Sequence, residues 1–456
     1  MILTSVAIAA ALLVFTWLGL RARATDGGLD DYVTARNSQG SRALGLSFLA
    51  SGMGGWILFA PPEVGALVGP VALAGYAIGA ALPFLVFAAC GPAIRRHLPE
   101  GRSIGEFADA CYGPRMRRWV ALISVFYMLC FLTAELTAVG AITALLTDLD
   151  GNIAVLGVAL ATLTYTAWGG LRASLATDRW QALLLIALIA LVAAVALPQL
   201  PDRPATAMAS APLGDALAVA LTLVIAVTAA NLFHQGYWQR LWAASSDRAL
   251  GRGAVLGGIT TVLVVALVGG LGIAAAASGA DLGSPPIPFF AMLGQAPGWL
   301  SLAALVLALT LVASSVDTLQ NGLASLAVTE KRGLSLSGAR WLTVGLMVPV
   351  VIVALQGYSV LRLFLIADLL CATVVVPVLL GLWSRMTIEA AVWGAVAGLI
   401  GAILPGWIDT GSAMRGLHAA SFPGGVPTLA PFLGSLLASA GISVAVSLLR
   451  PRTTTA

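Results

Sequence analysis

Charge is scarce in this sequence: Asp, Glu, Lys and Arg make up 10% of its 456 residues, against about 25% in a soluble globular domain. A chain this long with so few charges cannot cover a water-facing surface, so lipid must be the solvent for most of it. Histidine is scarcer still, with only His97, His234 and His418. The four cysteines, Cys90, Cys111, Cys130 and Cys371, include no pair at metal-ligand spacing. Nothing in that scatter suggests a metalloenzyme or a disulfide scaffold, and the cysteines read as small buried hydrophobes. No glycine loop of the Walker type is present, so no nucleotide is implied. No constellation of nucleophile, acid and base is visible, so the chain reads as a non-enzyme without an organic cofactor. The net charge of +4 is no sign of a nucleic-acid partner, because basic residues in a membrane protein are read by position. No positive segment precedes the apolar N-terminus; Arg21 and Arg23 follow it. That order fits a first helix running from outside to inside better than a cleaved signal peptide.

What the sequence has is apolar length. It is 59% hydrophobic, with a mean hydropathy of +0.96. A helix needs about 20 apolar residues to cross the hydrocarbon core. Thirteen stretches qualify, at roughly 1–20, 43–68, 70–93, 118–146, 152–170, 179–199, 214–234, 251–278, 298–328, 339–356, 359–383, 387–405 and 427–449. The expectation is an all-α integral membrane protein of about thirteen transmembrane helices, forming one domain over 1–456 with the lipid bilayer as its partner. With the N-terminus outside, all but three of the 24 Lys and Arg residues fall in loops on one side; the exceptions are Arg203, Arg362 and Arg415. The positive-inside rule makes that side cytoplasmic. The chain is expected in the cell's inner (plasma) membrane, N-terminus outside and C-terminus cytoplasmic.

Span two reads Ser47-Phe-Leu-Ala50-Ser-Gly52-Met53-Gly54-Gly55-Trp56, then reaches Pro61, Pro62 and Glu63. Interior Gly costs a helix about 1 kcal/mol and Pro about 3 kcal/mol, and freed carbonyls cannot face lipid. Either the helix is broken to line a cavity and offer carbonyls to a cation, or it is kinked so that a neighbour packs closely. Span nine carries Leu311, Ser314, Ser315, Asp317, Thr318, Gln320 and Asn321 inside a long apolar helix. Hydroxyls and carbonyls suit a hard cation such as sodium, and they also serve as interhelical glue. An intramembrane carboxylate needs a partner or water, which singles out Glu63, Glu135 in span four, Asp317, and Asp368 in span eleven. Each is a candidate for the substrate path or for a bond inside the bundle.

Two further segments are more distinctive. One is Tyr165-Thr-Ala-Trp-Gly169-Gly170, followed by Ser174, Thr177, Asp178 and Gln181. Read locally, it is a Gly-Gly turn leading to a Thr-Asp that would cap span six. The other is His234-Gln235-Gly-Tyr237-Trp238-Gln239-Arg240, continuing to Ser245, which ends a helix with a basic turn suited to its dipole.

These runs resemble signatures of the sodium/solute symporter family, which includes sodium/proline, sodium/glucose and urea transporters. The resemblance covers nearly the whole chain in family order. It implies a LeuT-like core of two inverted five-helix repeats, about 43–199 and about 214–383, with 1–20, 387–405 and 427–449 peripheral. It implies a sodium ion held by carbonyls of Ala50, Met53 and Leu311 and hydroxyls of Ser314 and Ser315. Asp178 matches a family acidic residue tied to a second ion or the inner exit path. Gly52, Trp56, Glu63, Glu135, Asn231, Asp317, Gln320 and Asp368 are substrate-path candidates. The implied function is sodium-coupled uptake of a small polar solute, proline-like or urea, by a chain that works as a monomer. A proton-coupled symporter of the same fold and a membrane sensor are the alternatives. Two departures stand out. Gly52 lies where sodium/proline symporters carry Asp. Span seven, the expected partner broken helix, has no Pro and no Gly beyond Gly214; Thr228 and Asn231 are the only hints of a break.

Overall fold

The computed structural model describes residues 2–21, 28–199, 211–283, 286–293, 297–330, 334–356, 360–423 and 427–449. Of the basic residues used for orientation, Arg23, Arg203, Lys331, Arg332, Arg450 and Arg452 lie outside these, as does the side chain of Arg362.

Among the described residues, nine helices are long and apolar enough to cross a membrane. Two more crossings are bent pairs, Ser41–Gly52 with Gly55–Leu67 at 65° and Leu363–Ala372 with Val375–Leu382 at 47°. The first stretch is the helix Ile2–Arg21. Spans five and six form one run, Gly151–Ala196, of 46 residues. At 1.5 Å per residue that is about 69 Å, roughly twice the hydrocarbon core. The run is interrupted at Gly170 (φ 59°, ψ −149°), a conformation open essentially to glycine alone. A Cβ there would also strike the Tyr32 carbonyl. The Gly-Gly turn is therefore real, but the expected cap at Thr177-Asp178 is not. Because Gly170 supplies the break, the chain is already helical at Thr177 and Asp178, and both are buried in the helix interior.

Span seven also departs from its apolar reading. Helix Leu213–Asn231 stops, residues 232–234 turn, and Gln235–Ala243 resumes as a short helix. Among the described residues, spans two and eleven are thus bent at a break, and span seven turns at its end before the short helix Gln235–Ala243. Trp299–Glu330 and Pro114–Leu146 run through the middle, with 72% and 67% of their most apolar windows buried. The last two helices, Ile388–Thr410 and Leu429–Leu449, are about 30% buried and pack chiefly on each other. Small residues allow the closest contacts, as expected between helices in lipid: a Cβ on Gly75 of span three would lie 2.5 Å from Ala220 Cα of span seven.

Ion pairs gather at the face where the basic loops lie. Asp30 bonds Arg36 (2.8 Å) and Arg102 (3.0 Å), and Asp31 bonds Arg172 (2.6 Å). Arg117 bonds Asp109 (3.1 Å) and Glu330 (3.0 Å) and also donates to the Thr329 carbonyl. A cavity of about 590 Å³ opens there, lined by Glu100, Arg102, Glu106, Arg117 and Thr329 among others. It is a vestibule of paired charges and does not include the interrupted helices.

Candidate functional site

The first half of span two ends because its backbone extends at Met53 (φ −97°, ψ 100°) and Gly54 (φ −104°, ψ −171°). Its last helical bond runs from the Met53 N–H to the Leu49 carbonyl (3.0 Å). The carbonyls of Ala50 and Met53 therefore lie past the donors of their own helix. The second half starts at Gly55, whose N–H donates to Glu135 Oε2 of span four (2.6 Å). A Cβ on Gly54 would overlap the Glu135 carboxyl group, and one on Gly55 would sit 2.8 Å from Val312 Cγ2. These glycines are there for close approach. Gly52 has the same explanation: its Cβ would lie 2.5 Å from the Tyr237 hydroxyl. An Asp side chain has no room where Tyr237 stands. Trp56 donates from Nε1 to the Gly52 carbonyl (3.3 Å) and stacks on Tyr76 (5.6 Å, 18°).

The break in span seven places His234 beside this point. Its ring is fully buried and stacks on Tyr237 (4.3 Å, 21°). It meets Phe131 and Tyr127 of span four edge-on, and neither ring nitrogen has a hydrogen-bond partner. Asn231, at the end of the first half, donates to the Val227 carbonyl (2.9 Å).

Below the break, spans two, six, seven and nine are tied together by a buried ion pair. Asp178 Oδ2 accepts from Arg240 Nη2 (2.6 Å) and from the Ser47 hydroxyl (2.5 Å), while the Ser314 hydroxyl donates to Asp178 Oδ1 (3.3 Å). Arg240 also donates to Ser47 (2.7 Å) and to the Gly236 carbonyl (2.7 Å). Both charged residues are 0% exposed. Arg240 is thus not the solvated loop cation that its position in the sequence suggests. A buried guanidinium is tolerable only when a carboxylate and hydrogen-bond acceptors meet it, and Asp178, Ser47 and Gly236 do so. One residue further along span nine, the Ser315 hydroxyl is fully buried and unpartnered.

The other candidates divide. Asp317 accepts from Tyr165 (2.7 Å), Ser174 (2.6 Å) and Thr177 (3.1 Å), so hydroxyls of spans five and six satisfy it. Gln320 accepts from Thr166 (2.6 Å) and donates to Thr162 (3.1 Å). Leu311 is fully buried on span nine. Glu63 lies half-buried in the first turn of Ala60–Leu67, and Asp368 is buried in span eleven. Sequence reasoning gave no role to Ser47, His234, Tyr165 or Ser174, and missed the partner of Arg240. Each stands in a quoted run, but its partner is far away in sequence. No group of three or more His, Cys, Asp or Glu among the described residues is arranged to hold a metal.

Interrupted helices crossing beside buried polar groups are the arrangement of secondary active transporters. The whole-chain likenesses agree on the fold. A Na+-coupled sialic acid symporter in a substrate-bound outward-open state superposes with a TM-score of 0.77, at 13% identity over 98% of each chain. Mhp1, a nucleobase-cation-symport-1 transporter, superposes in a closed form with a TM-score of 0.59, at 14% identity over 92% of this chain and 94% of that one. A spermidine transporter of Candida albicans is 28% identical over 386 residues, which is 82% of this chain and 74% of that protein. The chain belongs to the sodium:solute symporter family, whose profile matches residues 32–314. It is a multi-pass membrane transporter and not an enzyme.

Proposed function

We propose that the chain carries a small polar organic solute into the cell together with sodium, bound once per cycle by the carbonyls of Ala50, Met53 and Leu311 and the hydroxyls of Ser314 and Ser315. The observation that carries this reading is the Ser315 hydroxyl, buried without a partner where Asp178 holds span nine against span two. An unsatisfied buried hydroxyl is costly, and a cation would satisfy it. Asp178 is a poor second sodium ligand here, because Arg240 already neutralises it. The two repeats, about 43–199 and about 214–383, rock against each other with the N-terminus outside. The name of the fungal relative extends the range of solutes from proline and urea to amines.

One sodium ion falling through 100 mV gains about 2.3 kcal/mol, and a tenfold gradient adds about 1.4 kcal/mol. Together these concentrate a neutral solute roughly 500-fold at one-to-one coupling. The test is thermal stabilisation by sodium and sodium-driven uptake in proteoliposomes, for the native chain and for the double variant Ser314→Ala, Ser315→Ala. Both signals vanish in the variant if the site is right. Uptake that persists in it, or that runs on a pH gradient without sodium, overturns the reading.

A further inference from the structure

In transporters with broken helices, the N-terminus of a half-helix faces the anionic group of the substrate, because its free N–H groups and dipole favour negative charge. Here that position is taken. Glu135 Oε2 accepts the Gly55 N–H at 2.6 Å, at the start of the second half of span two, and Gly54 has no side chain because the carboxyl group fills the space. The carboxyl group is fully buried, and its other oxygen, Oε1, has no partner. Glu135 reaches this point from the face of span four that also carries Phe131 and Tyr127, one and two turns below, against His234. Asp368, in span eleven, adds a second buried carboxyl group. Among the described residues, Arg240 is the only buried Lys or Arg, and Asp178 occupies it.

We infer that the solute of this symporter is an amine without a carboxylate. Its ammonium group donates to Glu135 Oε1, so that Glu135 supplies from the protein the negative charge that an amino acid would bring. A carboxylate-bearing solute such as proline would find the Gly55 N–H already taken by Glu135. A protonated amine meets an acceptor that is otherwise orphaned, with the Trp56–Tyr76 pair near enough to the break to cover an alkyl chain or a cation. This inference rests on the symport reading for the route of transport, and on Glu135 alone for the chemistry.

The experiment uses the purified full chain in nanodiscs, titrated with spermidine, 1,4-diaminobutane, proline and urea in saturating sodium and in choline. The two amines are expected to bind and proline is not. Glu135→Gln keeps an oxygen for the Gly55 N–H but loses the charge, so amine affinity should fall about ten- to a hundredfold. Glu135→Asp, which keeps the charge, should lose less. A native size-exclusion profile and thermal midpoint without any ligand show that each variant is folded. Proline binding as tightly as the amines, or a Glu135→Gln variant with native amine affinity, overturns the inference. If amines bind through Glu135 but sodium neither stabilises the chain nor drives uptake, the inference stands and the sodium reading falls.

Discussion

The buried pair between Asp178 and Arg240 offers the sharpest test of how spans two, six, seven and nine are held together. The two charged groups are in contact at 2.6 Å, so their charge centres are about 4 Å apart. At an effective dielectric constant of about 20, their attraction is about 4 kcal/mol. Removing one partner of such a pair costs about 3–5 kcal/mol, because the other is left buried and unpaired. Asp178→Asn and Arg240→Met should therefore each lower the thermal midpoint severely. The double variant leaves no stranded charge and should lose much less than the sum of the two. Thermal unfolding of all four proteins in nanodiscs gives the coupling through a double-mutant cycle. Arg240→Met has a second consequence. It frees a carboxylate that already contacts Ser314 at 3.3 Å, and a second cation should then enter. The Hill coefficient for sodium should rise from one towards two. Additive losses, or single variants that cost under about 1 kcal/mol, would refute the argument that the pair is a structural cation site filled from within.

Replacing Gly170 by Ala forces a Cβ into a backbone region reserved for glycine and against Tyr32; the strain of about 1–3 kcal/mol plus the clash should lower the thermal midpoint, and an unchanged midpoint would count against the turn. Tyr165→Phe removes a 2.7 Å donor from buried Asp317 and should cost about 1.5–3 kcal/mol, read by the same unfolding assay, with Ser174 and Thr177 limiting the loss. Burial alone would raise the Asp30 carboxyl, but Arg36 and Arg102 outweigh it and hold it below its ordinary value. Its pairs thus contribute stability above about pH 4 that is lost as pH falls through the lowered value; Asp30→Asn should flatten the acid limb of a thermal midpoint against pH profile.

Much of the architecture is legible in the chain because lipid imposes a simple rule. Every crossing must satisfy its own backbone, so length and hydropathy alone locate the helices, and glycines with prolines mark span two as interrupted. The same rule hides the break in span seven. No Gly or Pro announces it, and the chain turns after Asn231 because His234, Tyr237 and Trp238 pack against spans three and four. Thr177 and Asp178 mislead for a related reason. Their residue types suit a helix cap, but Gly170 has already made the turn, and the side chains serve Asp317 and Arg240 instead.

The sequence by itself determined that this chain lives in a bilayer and roughly where it crosses, since those facts depend on composition along the chain. Only the tertiary structure decided which polar groups are spent on one another. Arg240 is taken by Asp178, and Asp317 by hydroxyls from spans five and six, whereas Ser315 and Glu135 Oε1 are left unpaired. Pairing is a property of atoms brought within about 3 Å across helices 60 to 150 residues apart, and no local pattern of residues encodes that distance.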